Sequence, residues 1–139
     1  MNARMVHMAL RGTTGLLAAL AALQVLLAGS FLSGHYAVLQ WHLVTGMSMV
    51  VLALVQTVLV FLPGRRERPR NVLQEGIALP VAIAVQGVLG MFRILELHVP
   101  IGVLMVVGLT HMASWAWKTP LPARTRPRAE EPVPAGAVA

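Results

Sequence analysis

Two histidines stand in matching surroundings. Leu39-Gln40-Trp41-His42-Leu43-Val44-Thr45-Gly46 and Leu95-Glu96-Leu97-His98-Val99-Pro100-Ile101-Gly102 both read Leu-x-x-His-x-x-x-Gly. The offset of 56 residues runs on without a gap and also pairs Met49-Val50-Val51 with Met105-Val106-Val107. Imidazole is the commonest protein ligand of metals, so two histidines in a repeated frame are a candidate ligand pair. Each is followed one helical turn later by a glycine on the same helix face. The chain has no cysteine, which excludes disulfides, thiolate metal sites, iron–sulfur clusters and covalent c-type haem attachment.

The elements that must position these residues follow from where charge is missing. Of 139 residues, 57% are hydrophobic and only 12% are charged, against about a quarter charged in an ordinary soluble domain. The 53 residues from Gly12 to Gly64 contain no Asp, Glu, Lys or Arg. One membrane-spanning helix needs roughly 20 apolar residues, so this run holds two. In hydrocarbon every backbone amide must be satisfied within the chain, and the long Leu, Ala, Val and Met runs lack the two-residue alternation of a barrel strand. The sequence therefore predicts an all-α integral membrane four-helix bundle with spans at about 10–32, 37–62, 76–92 and 99–117. Pro80, inside the third span, predicts a kink or a neighbouring group that satisfies the carbonyl it frees.

Lys and Arg accumulate in cytoplasmic loops. Ten of the eleven here, Arg4, Arg11, Arg65, Arg66, Arg68, Arg70, Lys118, Arg124, Arg126 and Arg128, flank the spans on one side. Both termini are expected in the cytoplasm of a multi-pass cell-membrane protein. The net charge of +6 thus reports topology and a lipid bilayer partner, not nucleic acid. The first thirty residues also resemble a signal peptide, with small residues at Ala28-Gly29-Ser30, but removing them would leave three spans and spoil the pairing of halves. The segment 119–139, rich in Pro and small residues, reads as a disordered cytoplasmic tail.

The first and third spans echo one another too, with Gln24 before Gly29 and Gln86 before Gly90, so the chain reads as a duplicated helix pair. Helices entering from the same side, each with a histidine near its outer end, place His42 and His98 at one depth, the arrangement that holds a haem iron between two imidazoles. Gly46 and Gly102, with Gly29 and Gly90 at a similar level, would leave room for a flat macrocycle. The plainer alternative is hydrogen-bonded interfacial histidines and close helix packing. Arg93 would pair with a propionate or with Glu96. His35 is a loop histidine near the same level. His111 lies thirteen residues beyond His98, about 20 Å deeper, and would bond Gln56 or Gln24. His7 reads as an unstructured terminal residue. Trp115, Trp117 and Lys118 would mark the inner interface and Tyr36 and Trp41 the outer. The methionines read as packing.

Val85-Gln86-Gly87-Val88-Leu89-Gly90 followed by Leu97-His98 resembles the Gln-Gly-x-Leu-Gly and later Leu-His that recur in each four-helix half of the haem A synthase family. The resemblance covers most of spans three and four and, more weakly, one and two. It implies one such half, with His42 and His98 as axial ligands of a b-type haem. Val38 stands where the synthase half carries a glutamate, and the loop cysteines of many members are absent, so the resemblance implies haem binding and not haem oxygenation. The expected function is that of a small membrane cytochrome, passing electrons to or from a quinone or handling haem beside a respiratory or haem-handling complex. The alternatives are a cofactor-free accessory subunit and a pH-responsive or transport protein.

Overall fold

The computed structural model describes residues 2–62 and 68–122; Arg65, Arg66 and the tail beyond 122 lie outside them. Four helices follow in order, α1 (Ala3–Leu32), α2 (Val38–Phe61), α3 (Arg70–Met91) and α4 (Leu95–Lys118). The described residues are all-α, and all four helices are long and apolar enough to cross a membrane. α4, with 24 residues, spans about 36 Å at about 1.5 Å per residue, enough for a hydrocarbon core of about 30 Å. Three of the helices, α1, α3 and α4, begin before the apolar runs expected at 10, 76 and 99. α1 starts at Ala3 because the Asn2 side chain accepts the Met5 N–H at 2.9 Å, an N-cap that draws the first basic residues into the helix.

α1 and α3 each pack against both α2 and α4, so the helices form a closed ring around a core of Leu10, Leu17, Met49, Val60, Val72, Leu109 and Met112. The start of α1 is bonded to the end of α4. Arg11 donates to the carbonyls of Ala116 at 3.0 Å and Thr119 at 2.8 Å, and Trp117 Nε1 donates to the Arg11 carbonyl at 3.2 Å. A cation on the last carbonyls of a helix satisfies acceptors with no partner and complements its dipole. His7, expected to be unstructured, is 6% exposed. Its Nε2 lies 3.0 Å from the Ala116 carbonyl and its ring packs at 5.9 Å from that of Trp115. The correction follows from the N-cap, which carries α1 past His7.

The inward faces of the two halves coincide. The buried residues of α4 are Met105, Leu109, Met112 and Ala116, each 56 positions after a buried residue of α2, namely Met49, Ala53, Gln56 and Val60. At an offset of 62, buried Leu10, Thr14, Leu17 and Ala21 of α1 correspond to buried Val72, Gly76, Leu79 and Ile83 of α3. One set of inward positions is thus used twice.

α3 runs unbroken through Pro80. A proline at this position cannot bond the carbonyl four residues back, which is that of Gly76. Thr57 Oγ1, on α2, donates to that carbonyl at 2.8 Å, so a neighbouring helix supplies the missing donor. α2 also approaches closely at Gly76, where a Cβ would lie 2.9 Å from Val60 Cγ1.

Candidate functional site

At the end of the bundle opposite the Arg11 network, His42 lies in the second turn of α2 and His98 in the first turn of α4. Both are half-buried. Their ring centres are 6.2 Å apart and their planes are inclined at 53°. The two histidines of the repeated motif therefore face one another across the ring of helices.

Each histidine is fixed by a glutamine of the preceding helix. Gln24 Nε2 donates to the His42 carbonyl at 2.9 Å, and Gln86 Nε2 to the His98 carbonyl at 2.8 Å. The glycine one turn deeper makes this reach possible. A Cβ on Gly46 would lie 3.0 Å from Gln24 Nε2, and one on Gly102 only 2.6 Å from Gln86 Nε2. The room over Gly46 and Gly102 is thus filled by amide groups, and Leu-x-x-His-x-x-x-Gly is read locally as a seat for a glutamine from the neighbouring helix. The sequence offered Gln24 as a marker of the repeat and a partner for His111, and Gln86 as a marker of the repeat and part of a motif, but neither as the support of a histidine. Their bonding role depends on how adjacent helices are rotated, which spacing within one helix does not give.

The other two glycines differ. A Cβ on Gly90 would lie 3.1 Å from His98 Cε1, so the ring rests on the bare backbone of α3, whereas Gly29 has nothing within 4 Å. His98 Nδ1 lies 3.1 Å from the Gln86 carbonyl. A carbonyl only accepts, so Nδ1 carries the proton and the lone pair is on Nε2. His42 Nδ1 is buried without a hydrogen-bond partner, and so are the side-chain oxygens of Gln24, Gln56 and Gln86.

Arg93 closes the turn between α3 and α4 with φ 58°. Its N–H bonds the Gly90 carbonyl at 3.1 Å and the Ile94 N–H that of Leu89 at 2.9 Å, the paired bonds of a Schellman cap. The α1–α2 turn has the same cap with Gly34 at φ 94°, where Gly34 N–H bonds Phe31 and His35 N–H bonds Ser30. Glu96 does not pair with Arg93. Among the described residues the one ion pair is His111 Nδ1 with Glu75, at 2.7 Å. This replaces the expected bond from His111 to Gln56 or Gln24. Gln56 instead donates to the Met112 sulfur, and His111 points to α3 from the outer side of α4, with its side chain 49% exposed. His35 is exposed in the α1–α2 turn. Met49, Met105 and Met112 are core side chains.

Among the described residues no group of three or more His, Cys, Asp or Glu is placed to hold a bare metal ion. Two facing imidazoles supply only axial ligands, the donor set that a porphyrin's own nitrogens would complete. Metal–imidazole bonds of about 2 Å, with about 1 Å more from nitrogen to ring centre on each side, put two axial rings roughly 6 Å apart, which the observed separation of 6.2 Å matches. The ring separation is the one that two imidazoles on a single haem iron would have. The expected glycine cradle is not formed as such: side chains fill the space over Gly46, Gly90 and Gly102, and Gly29 lies exposed on α1. No protein-family model, curated protein or solved structure matches the chain.

Proposed function

We propose that this chain is a membrane haem protein, a duplicated helix pair with both termini in the cytoplasm that holds one b-type haem between His42 and His98 near the outer face. The observation that carries the reading is the facing of two histidines from equivalent positions at a separation suited to axial ligation. The coincident buried faces of the halves support the duplication, and the resemblance to one half of a haem A synthase points the same way. Bound haem would supply one-electron redox chemistry, so electron transfer with a quinone or a partner subunit, or haem handling beside a respiratory complex, is the activity proposed.

The chain's own residues divide the work. Gln24 and Gln86 hold the backbone under each histidine, and the Gln86 carbonyl sets the tautomer of His98. Arg93, the sole Lys or Arg at that end among the described residues, would neutralise a propionate. Glycine would relax the Arg93 backbone, since a left-handed non-glycine residue costs about 1 kcal/mol or more.

The reading is tested by oxidised and dithionite-reduced optical spectra of the detergent-purified protein. A sharp reduced α band of low-spin b-type haem is expected. Protein that stays colourless after expression with abundant haem contradicts it. A cofactor-free accessory subunit is favoured by a different observation, the His111–Glu75 pair on the outer surface of the bundle, because ionisable groups within a membrane are usually covered by protein. Co-purification of a partner that is lost in His111→Leu, from colourless protein, would establish that reading instead.

A further inference from the structure

The two histidines occupy equivalent positions yet are not equally built. His98 is held at three points: its carbonyl by Gln86 Nε2 at 2.8 Å, its Nδ1 on the Gln86 carbonyl at 3.1 Å, and its ring on Gly90, where a Cβ would intrude at 3.1 Å. His42 keeps only the first of these, from Gln24, and its Nδ1 has no partner. The sequence gives a physical cause. Gly90 lies four residues after Gln86, and the residue four after Gln24 is Ala28, which carries the methyl that Gly90 lacks. In the second half the ring reaches the carbonyl of α3 across a bare glycine, and in the first half a side chain stands at that place.

A ligand whose distal nitrogen donates to a carbonyl is oriented and made more basic, and losing such support commonly weakens a metal site 10–100-fold. We infer that the two axial ligands are unequal: His98 is the retained ligand, and His42 is an exchangeable one that opens the iron, on the α1–α2 side, to a small neutral ligand of ferrous haem. The inference rests on the proposed haem site and deepens it. A coordination position that opens suits a protein that accepts or hands over haem, or binds a small ligand, better than one that only relays electrons. Gly90 and Ala28 become positioning residues that set which side is firm.

The test compares His42→Ala, His98→Ala and the exchanged pair Gly90→Ala and Ala28→Gly, purified in detergent, by haem per chain, spin state and carbon monoxide binding to the reduced protein. His42→Ala is expected to keep its haem, become high-spin and bind carbon monoxide readily. His98→Ala and Gly90→Ala are expected to lose haem affinity by about tenfold or more, and Ala28→Gly to slow carbon monoxide binding by letting the His42 ring dock. Nitrogen-15 spectra of the haem-free protein should show one fixed tautomer for His98 and an exchanging pair for His42, a readout that needs no haem. Equal loss of haem from His42→Ala and His98→Ala, with two exchanging tautomers, would overturn the inequality while leaving the haem site standing. Wild-type protein that binds no haem would overturn both.

Discussion

The α1–α2 half and the α3–α4 half bury corresponding positions but mostly with different residues, Ala53 answering to Leu109, Gln56 to Met112, Val60 to Ala116 and Ala21 to Ile83. Thr14 of the first half is replaced by Gly76, Val55 by His111, Ala28 by Gly90, and the glycine that caps α1, Gly34, by Arg93 at the end of α3. The inward positions coincide although the side-chain volumes at them differ. Gly76 and Gly90 lie at helix–helix approaches, Arg93 at a turn and His111 on the outer surface. The second half carries the histidine with a ring hydrogen bond, the left-handed Arg93 and the ionisable pair.

The comparison is broken most severely at Gly76. Ala in that place puts a methyl against the stiff, β-branched Val60, with atoms at 2.9 and 3.2 Å. A loss of about 1–3 kcal/mol in detergent unfolding is expected, partly recovered by adding Val60→Ala. Thr14→Ala, the equivalent change in α1, removes a hydroxyl bonded to its own helix at Leu10 together with a buried γ-methyl, a small cavity in place of a clash, and should cost about 0.5–1.5 kcal/mol. The next effect isolates a feature of α3. Thr57→Val should cost about 0.6–1.7 kcal/mol by orphaning the Gly76 carbonyl, and almost nothing in a Pro80→Ala background, where residue 80 regains its N–H. A double-mutant cycle measures that coupling.

Smaller still is the contrast between the two glutamine seats. Gly102→Ala meets Gln86 Nε2 at 2.6 Å and Gly46→Ala meets Gln24 Nε2 at 3.0 Å. The obstacle is the end of a flexible side chain, so the first should cost about 1 kcal/mol through the displaced hydrogen bond and the second less. Arg93→Gly should raise thermal stability by about 1 kcal/mol while weakening haem uptake in titration. Unchanged uptake would remove Arg93 from the site.

Four helices were legible because charge is absent over most of the chain, and the histidine pairing because the offset of 56 residues brings equal depths together. The demand made by Pro80 was legible as well, though not that Thr57 meets it. The partners across helices could not be read. Whether His111 turns to Glu75 or to Gln56, and whether the space over Gly46 and Gly102 is open or holds an amide, depends on the rotation of each helix against its neighbours. His7 was misjudged because an Asn2 cap extends α1 beyond its apolar run. Arg93 in a left-handed turn left no composition signal, since glycine would be the ordinary residue there.

The central claim is that His42 and His98 together hold one haem. Haem per chain, measured as the pyridine haemochrome on wild type and on the double variant His42→Ala/His98→Ala with folding checked by circular dichroism, tests it most directly. About one b-type haem per wild-type chain and none in a folded double variant is the expected result. A wild type without haem, or a double variant that keeps it, would contradict the account.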